Sequence, residues 1–551
     1  MSWATHLRGL LPAADDWAPV RTTWKVDLVA GITVGIVALP LALAFGVSSG
    51  VGAAAGLVTA IIAGAVAAVF GGSGVQVSGP TGAMVVILAP IVAQYGVGAV
   101  ALLSMMAGAL VLVLGLFRLG RAVALIPWPV VEGFTLGIGA IIFLQQVPMA
   151  VGTSVVPGHN TLVAAWEAVT VANLPTAAVT LAVVVGVAAV IMLAPRVHRS
   201  LPGSLIAVVL ATLAVEALGA DIPRIGELPH SLPAPSVPYV DLSLVVTLSG
   251  AAFAVALLAA IESLLSARVA TGMAGVGTYN PDRELVGQGL ASVASGLFGG
   301  MPATGAIART AVNVRSGAQT RLAAVVHAAV LLGVVYLAAG LVSRIPLAAL
   351  AGVLMVTAAR MISLATVRSV LTSTRSDALV FSVTAVVTLA FDLIQAILIG
   401  VLAAAFFALK TLAGASGVRR EEIPGAPAEG DEHIAVFRLD GAMFFGAADR
   451  LVEEVERVHS VEVVVLRLSH MNILDASGAH ALVEIIERLE ARGITVLLKG
   501  LQDQHVRVAT NVGVLRSLRH EKHLFTEMDE AVAHARSHVV RSGSPEGGAK
   551  L

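Results

Sequence analysis

Apolar runs long enough to cross a bilayer start near Val26 and recur as far as Lys410, about fourteen of them, some cut short by Gly and Pro. Their spans read as 26–47, 51–70, 79–94, 97–117, 123–147, 176–194, 202–219, 246–266, 284–298, 304–315, 318–339, 346–362, 377–391 and 393–410. With the N-terminus inside the cell, Arg8, Arg21, Lys25, Arg118, Arg196, Arg283, Arg321 and Lys410 fall on the inner side, while Arg224 and Arg344 face out. That asymmetry obeys the positive-inside rule and returns the C-terminus to the cytoplasm. Past Lys410 the pattern turns polar, with Arg419, Arg420, Glu421, Pro424, Gly425 and Pro427 marking a linker. From His433 the periodicity switches to strand (434–441), helix (447–458), strand (461–469), helix (477–493), strand (495–500) and a further helix near 503–519. The expected organisation is a cytoplasmic segment 1–25, a membrane domain 26–411, a linker 412–431, a small α/β domain 432–540 that should fold alone, and a disordered tail 541–551.

Composition agrees with that division. Hydrophobic residues make up 57% of the chain and charged residues 13%, and the mean hydropathy is +0.90, which excludes a water-soluble globular protein. A net charge of −1 lacks the basic surface a nucleic-acid partner needs. Zero cysteines exclude a disulfide framework and remove the commonest structural zinc ligands. The N-terminus shows no cleavage pattern of a removed leader, so the first helix is expected to stay in the cell or inner membrane. No HExxH, GxSxG or P-loop occurs, and no metal-spaced His/Asp set is read, so neither an enzyme nor a bound cofactor is expected.

Two short, Gly/Pro-interrupted segments stand out, at 77–90 and 299–317, sharing Pro, Thr, Gly and Ala with one residue inserted. Paired broken helices in the two halves of a transporter present free backbone N–H groups and positive dipole ends to a midplane anion. Glu262 lies in an otherwise apolar helix, where an ionised carboxylate costs on the order of 3 kcal/mol unless paired, protonated or functional. Ser263 and Ser266 give it a small polar face. Arg309, inside the second broken segment, is expected to supply charge for an anion and to pair with Glu262 when the site is empty. Glu132 follows Pro127 and Pro129 near a helix start, and His327 reads as a packed, hydrogen-bonded histidine.

VALPLALAFGVSSG (37–50), SGPTGAM (78–84), IESLLSARVA (261–270), DRELVGQGLASVASGLFGGMPATGAIARTAVN (282–313) and LDASG (474–478) together resemble the SulP family of anion transporters, which end in a STAS domain. The resemblance covers nearly the whole chain. It implies a polytopic α-helical protein with a seven-plus-seven inverted repeat, a core domain moving against a gate domain, and a homodimer. It implies that Thr81, Gly82, Ala83, Thr304, Gly305, Ala306 and Arg309 bind a small inorganic anion, and that Glu262 and Ser266 serve the coupling ion, H⁺ or Na⁺. The first-helix motif is similar to bicarbonate transporters, with Leu41 where sulfate permeases usually carry Gln. Glu262, Ser266 and Ile307 stand where sodium-coupled relatives carry better oxygen ligands, so proton coupling is expected. Asp475-Ala476-Ser477-Gly478 has Ala at the position that related regulators phosphorylate, and Ser477 is expected as a helix N-cap. Rival readings are a sodium-coupled bicarbonate symporter, a dicarboxylate transporter, an uncoupled anion channel or exchanger, and a membrane-tethered regulator with a protein partner at its STAS domain.

Overall fold

The structure, a computed structural model, describes residues 3–123, 127–153, 161–198, 201–238, 240–274, 279–390, 393–415, 417–443 and 460–542. It divides into two compact units, Met1–Ala404 and Ala405–Leu551. Each apolar run carries a helix: α1 Val20–Ser48, α2 Ala53–Phe70, α3 Gly82–Tyr95, α4 Gly98–Leu116, α5 Trp128–Gln145, α6 Leu174–Val197, α7 Gly203–Ala217, α8 Leu242–Ala274, α9 Pro281–Leu297, α10 Ile307–Arg315, α11 Leu322–Val342, α12 Leu347–Met361, α13 Arg375–Ala390 and α14 Leu393–Ala415. α1 and α8 outrun their predicted spans because helices continue past the apolar slab, where polar side chains meet water. α3 and α10 behave differently. At about 1.5 Å per residue they rise only about 21 Å and 14 Å, short of an apolar thickness of about 30 Å. Extended backbone before each one, including β1 Ser78–Gly79 and β2 Thr304–Gly305, supplies the remaining length.

Packing partners repeat with a period of seven helices. α1 packs on α11 as α8 packs on α4, and α2 packs on α11 as α9 packs on α4. α5 packs on α13 as α12 packs on α6. The partners fall into two groups, α1–α4 with α8–α11 and α5–α7 with α12–α13, as an inverted repeat requires.

Polar side chains close the helix ends. Arg283 donates to Asp16 Oδ1 and Oδ2 at 3.0 and 2.6 Å, while Arg321 stands 3.7 Å from the same carboxylate. The two arginines also take the orphan carbonyls of Ala68, Phe70 and Gly71 at the end of α2. Asp27 is fully buried and accepts from Thr23, the Gln319 and Thr320 amides and the Thr320 hydroxyl, tying α1 to the start of α11. Arg344 lies in the turn after α11, and Arg224 on an extended stretch bridged to Pro346 just beyond it, at the opposite end of α11 from Arg321.

Burial works against a charged Asp16, but hydrogen bonds from Arg283 and the Ala13 amide outweigh it and hold its carboxyl below the ordinary value. A depressed folded value means that the clamp's stabilisation is complete above the unfolded aspartate value of about 3.9 and disappears as pH falls through the folded value. Asp16→Asn is expected to lower the melting temperature of detergent-purified protein at pH 7, by an amount that shrinks as pH falls below about 3.9. Equal melting at pH 7 would exclude the clamp.

In the second unit, β3 Gly417–Glu421, β4 Ile434–Met443, β5 Val463–Arg467, β7 Thr495–Lys499 and β8 Leu524–Phe525 form a sheet in that order, and β6 Met471–Leu474 pairs with the far end of β4. Only the β3–β4 pairing is antiparallel. Strand alternation sends Ala435, Phe437 and Leu439 to one face, under α15 Ala476–Ala491 and α16 Asp503–Val512. Ile434 and Val436 face α17 Met528–Ser542 on the other side. Three expectations change. The stretch read as a linker contains β3, and α17 continues to Ser542 inside the stretch read as tail. The N-cap of α15 is Asp475, whose carboxylate accepts from Gly478 N at 2.7 Å, not Ser477, because the carboxylate reaches the third amide of the helix. The helix expected over 447–458 lies outside the described residues. Because β3 covers an edge of β4, a fragment 417–542 is expected to melt cooperatively and at higher temperature than 431–540; circular dichroism compares them.

Candidate functional site

β1 and β2 pair antiparallel where the two broken helices meet, Ser78 opposite Gly305 and Gly79 opposite Thr304. Unwound backbone inside a membrane must find partners within the protein, and here it does. Ala306 N donates to Val77 O at 2.9 Å, Val77 N to Thr310 Oγ1 at 3.0 Å, and Gly305 N to Ser263 Oγ at 3.0 Å. Arg309 donates to the carbonyl of Pro80. α3 begins after Thr81 and α10 after Ala306, both in extended conformation, and neither side chain caps its own helix. Both first turns therefore keep backbone N–H groups available to an outside acceptor.

The predicted site residues converge here. Thr81, Gly82, Ala83, Thr304, Gly305, Ala306 and Arg309 are all buried around the β1–β2 pair. Gly305 has no room for a side chain, since a Cβ there would stand 2.6 Å from Gln76 Cδ and 3.1 Å from Ser263 Cα. Gly82 lies against Ile142 of α5 and Phe45 of α1, so a residue of the other helix group covers the start of α3. The shared Thr-Gly-Ala triplets do not occupy equivalent places. Thr81 is the cap of α3, whereas Thr304 and Gly305 form β2 and the cap of α10 falls on Ala306.

Glu262, partly buried, accepts a hydrogen bond from Thr81 Oγ1 at 2.9 Å. The expected ion pair with Arg309 is not formed: the guanidinium, 2% exposed, faces Pro80 and Gly79 behind β1. Arg309 thus braces the chain one residue before the α3 cap, and one of its Nη atoms has no partner. Ser266 is fully buried and donates to Thr310 Oγ1 at 3.1 Å, so its hydroxyl is engaged away from the carboxylate. Glu132 accepts from Trp128 Nε1 at 3.0 Å, one turn away on α5. His327 is packed at zero exposure against α1 and α2, but neither ring nitrogen is hydrogen-bonded, unlike the expectation.

Sequence reasoning missed several participants. Ser263, noted only as a neighbour of Glu262, holds the backbone of β2. Gln76 and Thr310 were not singled out. Nor was a buried chain in which Glu284 accepts from Gly72 N, Ser73 N and Gln288, while Gln288 also donates to Ser78 of β1 at 2.6 Å. Glutamate and glutamine inside the apolar run 284–298, at 284 and 288, and the glutamine at 76 just before the first broken segment, were the available signal. A polar cavity of about 320 Å³ lies at the nearby helix ends, lined by Asp16, Ser73, Asn280, Arg283, Thr320 and Arg321.

Two facing half-helices in a repeat of seven, with an intramembrane acid at their caps, form the arrangement in which transporters bind a midplane anion. Comparison with known proteins carries this one step further: the chain belongs to the Sulfate permease family, matched over residues 24–384, and carries a STAS domain, matched over 426–531. It is 35% identical over 518 residues to YvdB of Bacillus subtilis, covering 92% of this chain and 97% of that protein. It is 32% identical over 533 residues to the bicarbonate transporter BicA of Synechocystis, covering 92% and 94%. Its fold matches the structure of the murine Slc26a9 anion transporter with a TM-score of 0.85 at 16% identity, covering 97% and 95%. The chain is accordingly a membrane anion transporter of the sulfate/bicarbonate class.

Proposed function

We propose that the chain is a proton-coupled symporter of a small oxyanion, sulfate first, with Glu262 as the proton acceptor and the caps of α3 and α10 as the anion site. The hydrogen bond from Thr81 to Glu262 carries this reading. A charged carboxylate there holds the Thr81 hydroxyl beside the free amides of α3 and repels an incoming anion; a protonated one still accepts from Thr81 but no longer repels the anion. Anion and proton therefore bind together. Ile307, 38% exposed at the start of α10, and the engaged hydroxyl of Ser266 make a poor set for a hard cation.

The bicarbonate preference expected from the first-helix motif becomes the second reading, favoured by the likeness to BicA. Bicarbonate plus a proton is carbon dioxide and water, and carbon dioxide crosses membranes unaided, so proton symport of bicarbonate accumulates nothing. That substrate requires sodium coupling or exchange. Cytoplasmic termini, supported by the arginine distribution, and a homodimer with a protein partner at the STAS domain complete the proposal. Uptake of labelled sulfate, bicarbonate and fumarate into proteoliposomes, under proton and sodium gradients in turn, tests it. Sulfate uptake should follow the proton gradient; uptake that follows sodium alone would overturn proton coupling.

A further inference from the structure

No three histidines stand at metal-ligand spacing along the sequence, but the fold brings three together. His534 and His538 lie one turn apart on one face of α17, and His523 ends the short turn Glu521–His523 that leads into β8. Their ring centroids are 5.0–5.5 Å apart, and one ligand nitrogen from each lies within 4.8 Å of the others. His523 is only 3% exposed, yet its Nδ1 has no hydrogen-bond partner; His534 Nε2 is likewise buried and unpartnered. Buried polar atoms in folded proteins are nearly always satisfied, so two orphan imidazole nitrogens in one cluster indicate a missing partner.

We propose that His523, His534 and His538 form a site for a late first-row divalent cation, zinc above all, in the soluble domain. A four-coordinate ion holds nitrogens at about 2.0–2.1 Å, hence about 3.3 Å from one another, which small χ rotations of the two α17 side chains achieve. Ligand type and spacing also fit such a site. Imidazole suits zinc, copper and nickel, and a histidine pair at i and i+4 on a helix is a recurring chelate. A fourth position remains for water. An ion here fastens α17 to the turn before β8, on the face of the sheet covered by Ile434, Val436 and Val465.

Cobalt(II), a spectroscopic substitute for zinc, tests this on the untagged full-length chain in detergent. Wild type should bind one ion per chain, show the visible bands of a four-coordinate site, release it to stoichiometric zinc, and melt at higher temperature with zinc than without. His534→Gln with His538→Gln should weaken binding about 100-fold or more and abolish the zinc-dependent shift in melting, and His523→Gln alone about 10-fold or more. His480→Gln, an exposed histidine on α15, should change nothing. Wild type that binds cobalt no tighter than about 100 µM, or a double variant that binds as wild type does, overturns the site.

Discussion

Glu262→Gln should abolish sulfate accumulation driven by a pH gradient and leave anion exchange at equal concentrations intact. One proton per anion across a gradient of one pH unit, with the membrane potential clamped at zero, supports at most about tenfold accumulation, or about 1.4 kcal/mol. Glutamine imitates the protonated acid permanently. It keeps an oxygen for the Thr81 hydroxyl, now at 2.9 Å from the carboxylate, and removes the charge that opposes an anion. The anion site should stay competent while its link to protons disappears. Accumulation should therefore fall from severalfold to none, with exchange within about threefold of wild type. A variant that still concentrates sulfate under a pH gradient would remove Glu262 from the coupling path.

Arg309→Ala should weaken equilibrium binding of sulfate by about 30-fold or more, near 2 kcal/mol, without preventing insertion. The guanidinium is buried, so its field at the helix caps is little screened by water, and its bond to the Pro80 carbonyl holds the backbone one residue ahead of Thr81. Alanine loses both effects. Arg309→Lys keeps the charge without the planar fork and should fall between the two. Labelled sulfate binding to reconstituted protein, with far-ultraviolet circular dichroism as a folding control, measures it. An unchanged affinity in Arg309→Ala would place the anion elsewhere.

Much of this molecule was visible in one dimension. A bilayer imposes runs of about twenty apolar residues, so the spans are written as a length and composition signal. Gly and Pro inside 77–90 and 299–317 disclosed the half-helices, and a solitary acid in a run of Ala and Leu disclosed Glu262. What was not visible depends on which surfaces meet. Glu262 reaches Thr81 instead of Arg309 because the guanidinium is spent on the Pro80 carbonyl, one residue ahead of Thr81. The repeated Thr-Gly-Ala suggested an equivalence that the helix caps place two residues away, since residue identity and backbone conformation need not share a register. β3 was hidden because an edge strand of Arg and Glu lacks an apolar face. The histidine cluster was half legible as H-A-R-S-H; His523, eleven positions earlier, joins only when α17 folds back on β8.

The antiparallel pairing of β1 with β2 has a consequence for direction. An antiparallel pair of strands presents backbone toward either side of the bilayer, so the pairing by itself favours neither inside nor outside. Both formal charges at the cradle come from the second repeat: Glu262 on α8 and Arg309 on α10. Counted from the caps, the counterpart of Arg309 on α3 is Met84, and the middle of α1, the counterpart of α8, is Ala, Leu and Phe around Pro40. Two side chains of opposite sign thus add to the two-residue offset of the helix caps as departures from an even-handed geometry.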